Sequence, residues 1–206
     1  SYATGTYPHG FEIAEARIVM NQDGSVQLQV GATEIGQGSD TVLSQIAAEV
    51  LGLPYDMVHI VSQQDTDISP FDLGAYASRQ TFVSGAAVRK AAEEVKGKVL
   101  EMASEKTGLS IDELDIKAAR IVERKSGNEI CTLEDIAMES YYDRVNAEPI
   151  FGNASYNVRT NAMAYGVTFA EVEVDMETGR IEVIEIYNVH DSGVIVNPML
   201  AEGQVH

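Results

Sequence analysis

Alternation constrains this chain more than any other feature, because three separate stretches switch between apolar and polar residues with period two and each folds back at a turn signal. Residues 11–33 alternate on both sides of Asp23-Gly24, with Val26, Leu28 and Val30 on one face of the return strand and Ser25, Gln27 and Gln29 on the other. Residues 114–131 alternate around Ser126-Gly127-Asn128. The third stretch sets Val172, Val174 and Met176 against Glu171, Glu173, Asp175 and Glu177, with its turn at Thr178-Gly179, so its charged face must be wet. Period-two segments joined by short turns build antiparallel sheet with one face toward water.

Two stretches of helical period lie among the hairpins. Leu43, Ile46, Ala47, Val50 and Leu51 follow Gly36-Gln37-Gly38-Ser39-Asp40 and are closed by Gly52 and Pro54, which predicts a capped amphipathic helix. Val88, Ala91, Ala92, Val95, Val99 and Met102 mark a longer one, whose alanines predict close packing against a neighbour. Residues 57–61 read as a short strand, Thr132 as the N-cap of a short helix, and residues 145–160 carry no clear period. The fold class is therefore α+β, with antiparallel or mixed sheets and helices packed on them. The run Ala-Glu-Ala-Arg-Ile-Val-Met at 14–20 echoes Ala-Glu-Val-Glu-Val-Asp-Met at 170–176, which suggests duplicated halves at 1–110 and 111–206. No Gly/Ser-rich or Pro-rich linker divides residues 1–206.

Composition removes several functions. The 206 residues hold 14 Lys+Arg against 32 Asp+Glu, a formal net charge of −18, so a nucleic-acid binder working by phosphate neutralisation is excluded. Hydrophobic residues make up 45%, enough for a packed core and too many for intrinsic disorder. Cys131 is the single cysteine, so neither an intrachain disulfide nor a multi-cysteine metal site can form. No apolar run approaches the roughly 20 residues of a membrane span, and the N-terminus lacks a signal-peptide pattern; the expected setting is cytoplasmic.

Two places can carry chemistry. The junction Gly36-Gln37-Gly38 would aim helix-start N–H groups at an anionic ligand, although a tight strand-to-helix turn is the plainer reading of the spacing. It is neither a dinucleotide fingerprint nor a phosphate loop. Residues 74–81 form a second small-residue approach to a helix, with Arg79 as its cation and hydroxyls at Ser78 and Thr81 that would also serve as simple helix caps. His9, His59, His190 and His206 lack metal-ligand spacing; His190-Asp191 reads either as an acid/base pair or as a turn. Cys131 lies beside a helix start, which can depress a thiol pKa, but a lone cysteine is more often a small apolar residue.

Several blocks, in order along the chain, carry a resemblance: residues 31–41 with the sequence Gly-Ala-Thr-Glu-Ile-Gly-Gln-Gly-Ser-Asp-Thr, Gln45-Ile46-Ala47-Ala48-Glu49, Asp65-Thr66, residues 74–85, and residues 197–205 with Asn-Pro-Met-Leu-Ala-Glu-Gly-Gln-Val. Together they resemble the molybdopterin-binding subunit of the xanthine dehydrogenase/aldehyde oxidase family of molybdenum hydroxylases. The resemblance implies a molybdenum–molybdopterin cofactor, with its cytosine dinucleotide form left open, and no direct protein ligand to the metal. It implies that Gly36, Gln37 and Gly38 lie at the cofactor, that Ala77, Ser78, Arg79 and Gln80 line the pterin and the open face of the metal, and that Gln204 bonds the pterin.

The same resemblance implies oxygen insertion from water into a C–H bond of a purine, an N-heterocycle or an aldehyde, with iron–sulfur and FAD centres on partner subunits or domains. It also implies that these 206 residues are the middle of a larger subunit. The general-base glutamate is expected beyond His206, and the remaining parts of the molybdenum subunit are expected as partners, with no nucleic acid and no membrane. Two other classes remain open at this point: a non-catalytic scaffold that keeps the fold, and a stand-alone nucleotide or phosphate binder.

Overall fold

The structure, a computed structural model, describes residues 12–61, 64–144, 147–160 and 163–205. Its main sheet has the order β3-β2-β1-β7, with β1 at Ile13–Met20, β2 at Val26–Val30, β3 at Val58–Val61 and β7 at Phe151–Asn157. β1 pairs antiparallel with both β2 and β7, whereas β2 and β3 run parallel. Helices α1 (Ser39–Leu51) and α2 (Gly85–Thr107) pack on each other, and α2 covers β1 and β7. The alternation is explained by this layer: Ala14, Ala16, Ile18 and Met20 of β1 and Val26, Leu28 and Val30 of β2 are buried under it, while Arg17 and Gln27 remain outside. Each large aliphatic buried this way contributes about 1.5–3 kcal/mol.

The alanines of α2 set the spacing between layers. Ala87, Ala91, Ala92 and Ala103 are fully buried, and a Cβ on Gly152 of β7 would stand 2.4 Å from the carbonyl oxygen of Ala91. Helix and strand therefore meet almost backbone to backbone. β7 falls within the stretch where no period was legible, and it comes from the later proposed half while pairing along β1 of the earlier one, so the division at residue 110 does not follow the sheet.

The alternation at 114–131 resolves into three strands rather than one hairpin. β4 (Leu114–Lys117), β5 (Arg120–Glu123) and β6 (Glu129–Thr132) form an antiparallel meander. The extra turn is Ala118-Ala119, with φ of 48° and 59°, a left-handed pair that alanine does not advertise. Helix α3 (Leu133–Tyr142) follows, with the expected Thr132 cap inside a reciprocal capping box with Asp135.

β8 (Tyr165–Val174) and β9 (Ile181–Asp191) pair only with each other, and every residue in them is exposed. Their register places Val167 opposite Val189 and Phe169 opposite Tyr187, then, past an irregularity after Glu171, Val172 opposite Val183 and Val174 opposite Ile181. This hairpin and β1–β2, which carry the sequence echo, stand in different surroundings: β1–β2 has its apolar face buried, and the β8–β9 ribbon has apolar side chains open to solvent. Helix α4 (Pro198–Gly203) begins at an Asn197 cap and docks on the start of α1.

Candidate functional site

The two glycine-bearing loops are brought together by the parallel pair at the sheet edge. Gln29 of β2 is level with Val61 of β3, so the chain leaves both strands at the same end of the sheet and reaches α1 and α2 from neighbouring positions. The side-chain amides of Gln37 and Gln80 seal the junction. Gln37 Nε2 donates to Gln80 Oε1 and to the Thr33 carbonyl at 3.0 Å, Gln80 Nε2 donates to the same carbonyl at 3.0 Å, and Gln37 Oε1 accepts from the Ile35 N–H at 2.7 Å. One loop carbonyl thus gathers donors from both loops.

The helix-start N–H groups, read from sequence as seats for an external anion, are occupied by the protein's own Glu34. Its Oε1 accepts from the N–H groups of Gly36 at 2.7 Å and Gly38 at 3.0 Å, and its Oε2 from the Asp40 N–H at 3.1 Å and the Ser39 hydroxyl at 3.2 Å. A phosphate would have to displace a carboxylate that is already well bonded. Desolvation pushes the Glu34 carboxyl upward, but the N–H groups of Asp40, Gly38 and Gly36 and the Ser39 hydroxyl outweigh it, and its pKa lies below the ordinary glutamate value. A pKa lowered on folding stabilises the fold above the unfolded-state value, and that stabilisation is lost as pH falls through the folded-state value. Glu34→Ala is therefore expected to destabilise the chain by about 1–2 kcal/mol at neutral pH, the range for loss of a helix cap at a partly solvent-screened site. Urea unfolding checks it: the gap between wild type and variant must close in acid, and a pH-independent gap would remove the capping role.

The second loop is strained at its exposed tip and tied down behind it. Ala77 and Ser78 both have positive φ, 47° and 56°, and both are exposed. The next residue, Arg79, runs inward. Its side chain is fully buried; Nε donates to Glu12 at 2.7 Å, Nη1 to Asp72 and to the Gly74 carbonyl, and Nη2 to the Ile13 carbonyl at 2.7 Å. The guanidinium is thereby committed to protein groups, and so is the backbone, whose N–H donates to the Tyr76 carbonyl at 3.2 Å and whose carbonyl accepts the Val83 N–H at 2.7 Å, so Arg79 offers a ligand no free polar group. Neither Ser78 nor Thr81 caps α2; the chain enters the helix through a π-helical turn, Gln80–Ser84, without a side-chain cap.

Several features leave room for a bound group. Gly36 (φ +98°) and Gly74 (φ +114°) have open space where a Cβ would stand, so a ligand can approach their backbone. Asp40 Oδ1 is buried without a hydrogen-bond partner, an acceptor in want of an N–H. Gly38 faces the other way: a Cβ there would lie 2.6 Å from Leu200 Cδ1, and Asn197 Nδ2 donates to Gln45 Oε1 at 3.1 Å. These contacts seat α4 against α1, and Gln204, the C-cap of α4, is exposed.

The other candidates fall to plainer roles. His59 is exposed on β3, and His190 and Asp191 end β9. His9 and His206 lie outside the described residues. The Cys131 thiol is pushed up, by burial first and by Asp135, Glu139 and Glu129, against the lowering effect of Lys106, so it is not an activated nucleophile. Sequence reasoning gave no role to Glu34, Asp72 or Glu12. An acidic residue two places before Gly-x-Gly at a helix start was the available signal for Glu34; nothing local marks the other two.

A family model described as molybdopterin cofactor-binding domain matches residues 1–206. The xanthine dehydrogenase molybdenum-binding subunit of Escherichia coli O157:H7 is 44% identical over 207 residues, covering 100% of this chain and 28% of that protein. The carbon monoxide dehydrogenase large chain of Hydrogenophaga pseudoflava is 32% identical, covering 95% of this chain and 24% of its own length. The crystal structure of quinoline 2-oxidoreductase from Pseudomonas putida 86 superposes with a TM-score of 0.86 at 27% identity, over 94% of this chain and 25% of that one. The chain thus spans about a quarter of the length of the proteins it matches.

Proposed function

The chain belongs to the molybdopterin cofactor-binding domain family, and from that premise we propose that its two glycine-bearing loops and α4 form one wall of the pterin site in a xanthine dehydrogenase-like molybdenum hydroxylase. The observation that carries the reading is the joining of Gln37 and Gln80 at the Thr33 carbonyl, which brings together the residues implied as cofactor contacts from two loops distant in sequence. The described residues fit such a group: open backbone at Gly36 and Gly74 admits a flat polar ring system, and the orphaned Asp40 oxygen accepts from a ring N–H.

In this reading Gly36, Gln37, Ala77, Ser78 and Gln80 hold the pterin side of the cofactor, Gly38 and Arg79 support the two loops from behind through Leu200 and through Glu12 and Asp72, and Gln204 steadies the pterin from α4. When bound, the molybdenum cofactor supplies the insertion of an oxygen atom from water into a C–H bond of a purine, an N-heterocycle or an aldehyde. This chain binds and orients the group and keeps water from its flank. Glu34 is engaged on the α1 N–H groups and Glu12 and Asp72 on Arg79, and the proton-abstracting group is placed, as the family resemblance implies, in the remaining part of the molybdenum subunit. Partners are the remaining parts of the molybdenum subunit and iron–sulfur and FAD subunits or domains; iron and flavin analysis of the intact complex tests them, and a complex lacking both would refute that part.

The central test is Gln37→Ala in the intact protein. Removing a hydrogen bond to a buried or charged group is worth about 1–3 kcal/mol, so molybdenum retention or turnover is expected to fall about fivefold to a hundredfold. Full molybdenum loading together with unchanged turnover would overturn the assignment. A stand-alone phosphate binder is the weaker reading because Glu34 already fills the helix start.

A further inference from the structure

A left-handed pair of L-residues, matched among the described residues by Ala118-Ala119, lies directly against the buried, heavily bonded guanidinium of Arg79. Ala77 and Ser78 are consecutive L-residues in the left-handed region, where a Cβ is disfavoured and glycine is the usual occupant. Such a turn persists only when its surroundings over-determine it.

The surroundings here are specific. The Arg79 N–H donates to the Tyr76 carbonyl at 3.2 Å and closes the turn from behind. The Arg79 side chain then binds Glu12 and Asp72, together with the Gly74 and Ile13 carbonyls. Both carboxylates are themselves anchored: Glu12 Oε1 accepts the Tyr76 hydroxyl at 2.7 Å, and Asp72 Oδ2 accepts the Ser84 hydroxyl at 2.7 Å while its Oδ1 accepts the Gly74 N–H at 2.8 Å. Asp72 also forms a bridge with Ala14 at the start of β1. Each flank of the turn is thus pinned to the first residues of one strand, and the two residues between the flanks bulge into solvent just ahead of Gln80.

We infer that Arg79, with Glu12 and Asp72, is a positioning cluster that holds the Ala77–Ser78 turn in its left-handed, outward conformation and so fixes the backbone leading into Gln80. Its consequence for a bound pterin rests on the function proposed above; the conformational claim does not. A merely structural ion cluster would stabilise the whole core and leave the turn free to choose its own conformation. A positioning cluster holds the turn over and above what it contributes to the core.

The experiment uses the complete protein carrying this sequence, as Arg79→Lys and, separately, as Ala77→Val. Lysine keeps the charge but loses the planar fork that reaches two carboxylates and two carbonyls. Valine at an exposed site touches none of the cluster but raises the strain of the turn, because β-branched residues tolerate positive φ poorly. In the cofactor-free form, both variants are expected to speed amide exchange of residues 75–80 at least tenfold more than that of β1, β2 and α2. Exchange that rises equally across β1 and α2, or that does not move in residues 75–80, overturns the inference.

If Arg79→Lys does not accumulate as folded protein, Tyr76→Phe, which removes one anchor of Glu12, takes its place under the same criteria. Molybdenum retention in the loaded protein separates the two claims. Local exchange faster than wild type with retention reduced at least fivefold, and partly restored by Ala77→Gly in the Arg79→Lys background, supports both. Faster local exchange with full retention supports the positioning role and counts against the loop as a cofactor wall.

Discussion

Replacing Arg79 by methionine is expected to destabilise the chain by about 3–5 kcal/mol, because it leaves two buried carboxylates without their cation. The side chains of Asp72 and Glu12 are 0% and 4% exposed, so water cannot take over from the guanidinium. Two loop or strand carbonyls, of Gly74 and Ile13, lose their donor as well. Against a typical total of about 5–15 kcal/mol, that loss is a large share of the stability of such a domain. Urea unfolding measures it. A loss under 1 kcal/mol would mean that the cluster is replaceable by apolar packing, as some buried ion pairs are. Adding Glu12→Gln and Asp72→Asn to Arg79→Met should recover part of the loss, since it removes the uncompensated charges while keeping their shape.

Gly52→Ala is the second substitution with a large expected effect, about 2–4 kcal/mol. Gly52 ends α1 with φ of +70°, and its N–H donates back to the Glu49 carbonyl, closing the helix. Its carbonyl accepts the Ala119 N–H at 3.1 Å, and an added Cβ would stand 2.1 Å from the Ile116 carbonyl oxygen. Left-handed alanine costs about 1–2 kcal/mol. The clash adds a backbone displacement of similar size, because the neighbour is main chain and cannot rotate away. The effect should appear as a fall in thermal midpoint together with loosening of the β4–β5 turn. Wild-type stability in Gly52→Ala would refute the close approach of α1 to the meander.

The contrast between these two sites shows what was legible beforehand. Gly52 was readable as a helix stop, because a glycine after the last apolar position of a helical stripe signals a C-cap. Its contact with Ile116, 64 residues on, was not. Arg79 was legible as the one cation in a small-residue loop, and so as a ligand contact; its inward course depends on Glu12 and Asp72, which adjoin it only after β1 and α2 have packed. Gln37 and Gln80 were legible through the family resemblance, but their mutual hydrogen bond needed β2 and β3 to run parallel.

Misses have equally particular causes. β7, Phe-Gly-Asn-Ala-Ser-Tyr-Asn, has no apolar alternation because α2 lies so near that Gly152 and Ala154 are the residues that fit beneath it. The turn between β4 and β5 hid in Ala118-Ala119, since alanine rarely takes positive φ and carries no turn signal. The anion at the start of α1 went unnoticed because it is supplied from within, by Glu34, rather than by a ligand.

By itself, the sequence determined what depends on neighbours a few residues apart: the period of most strands and of α1 and α2, the caps at Thr132 and Gly52, the exclusion of nucleic-acid binding by phosphate neutralisation at a net charge of −18, and the motif blocks that carry the family. Only the tertiary structure decided which polar groups are already satisfied. Local pattern shows that a donor or acceptor exists, but whether it is free for a cofactor depends on partners brought to it by chain packing, as Glu34 is to Gly38 and Asp72 to Arg79. A buried polar group must find such a partner, so packing commits Arg79 to the core and leaves the open backbone at Gly36 and Gly74 accessible to a ligand.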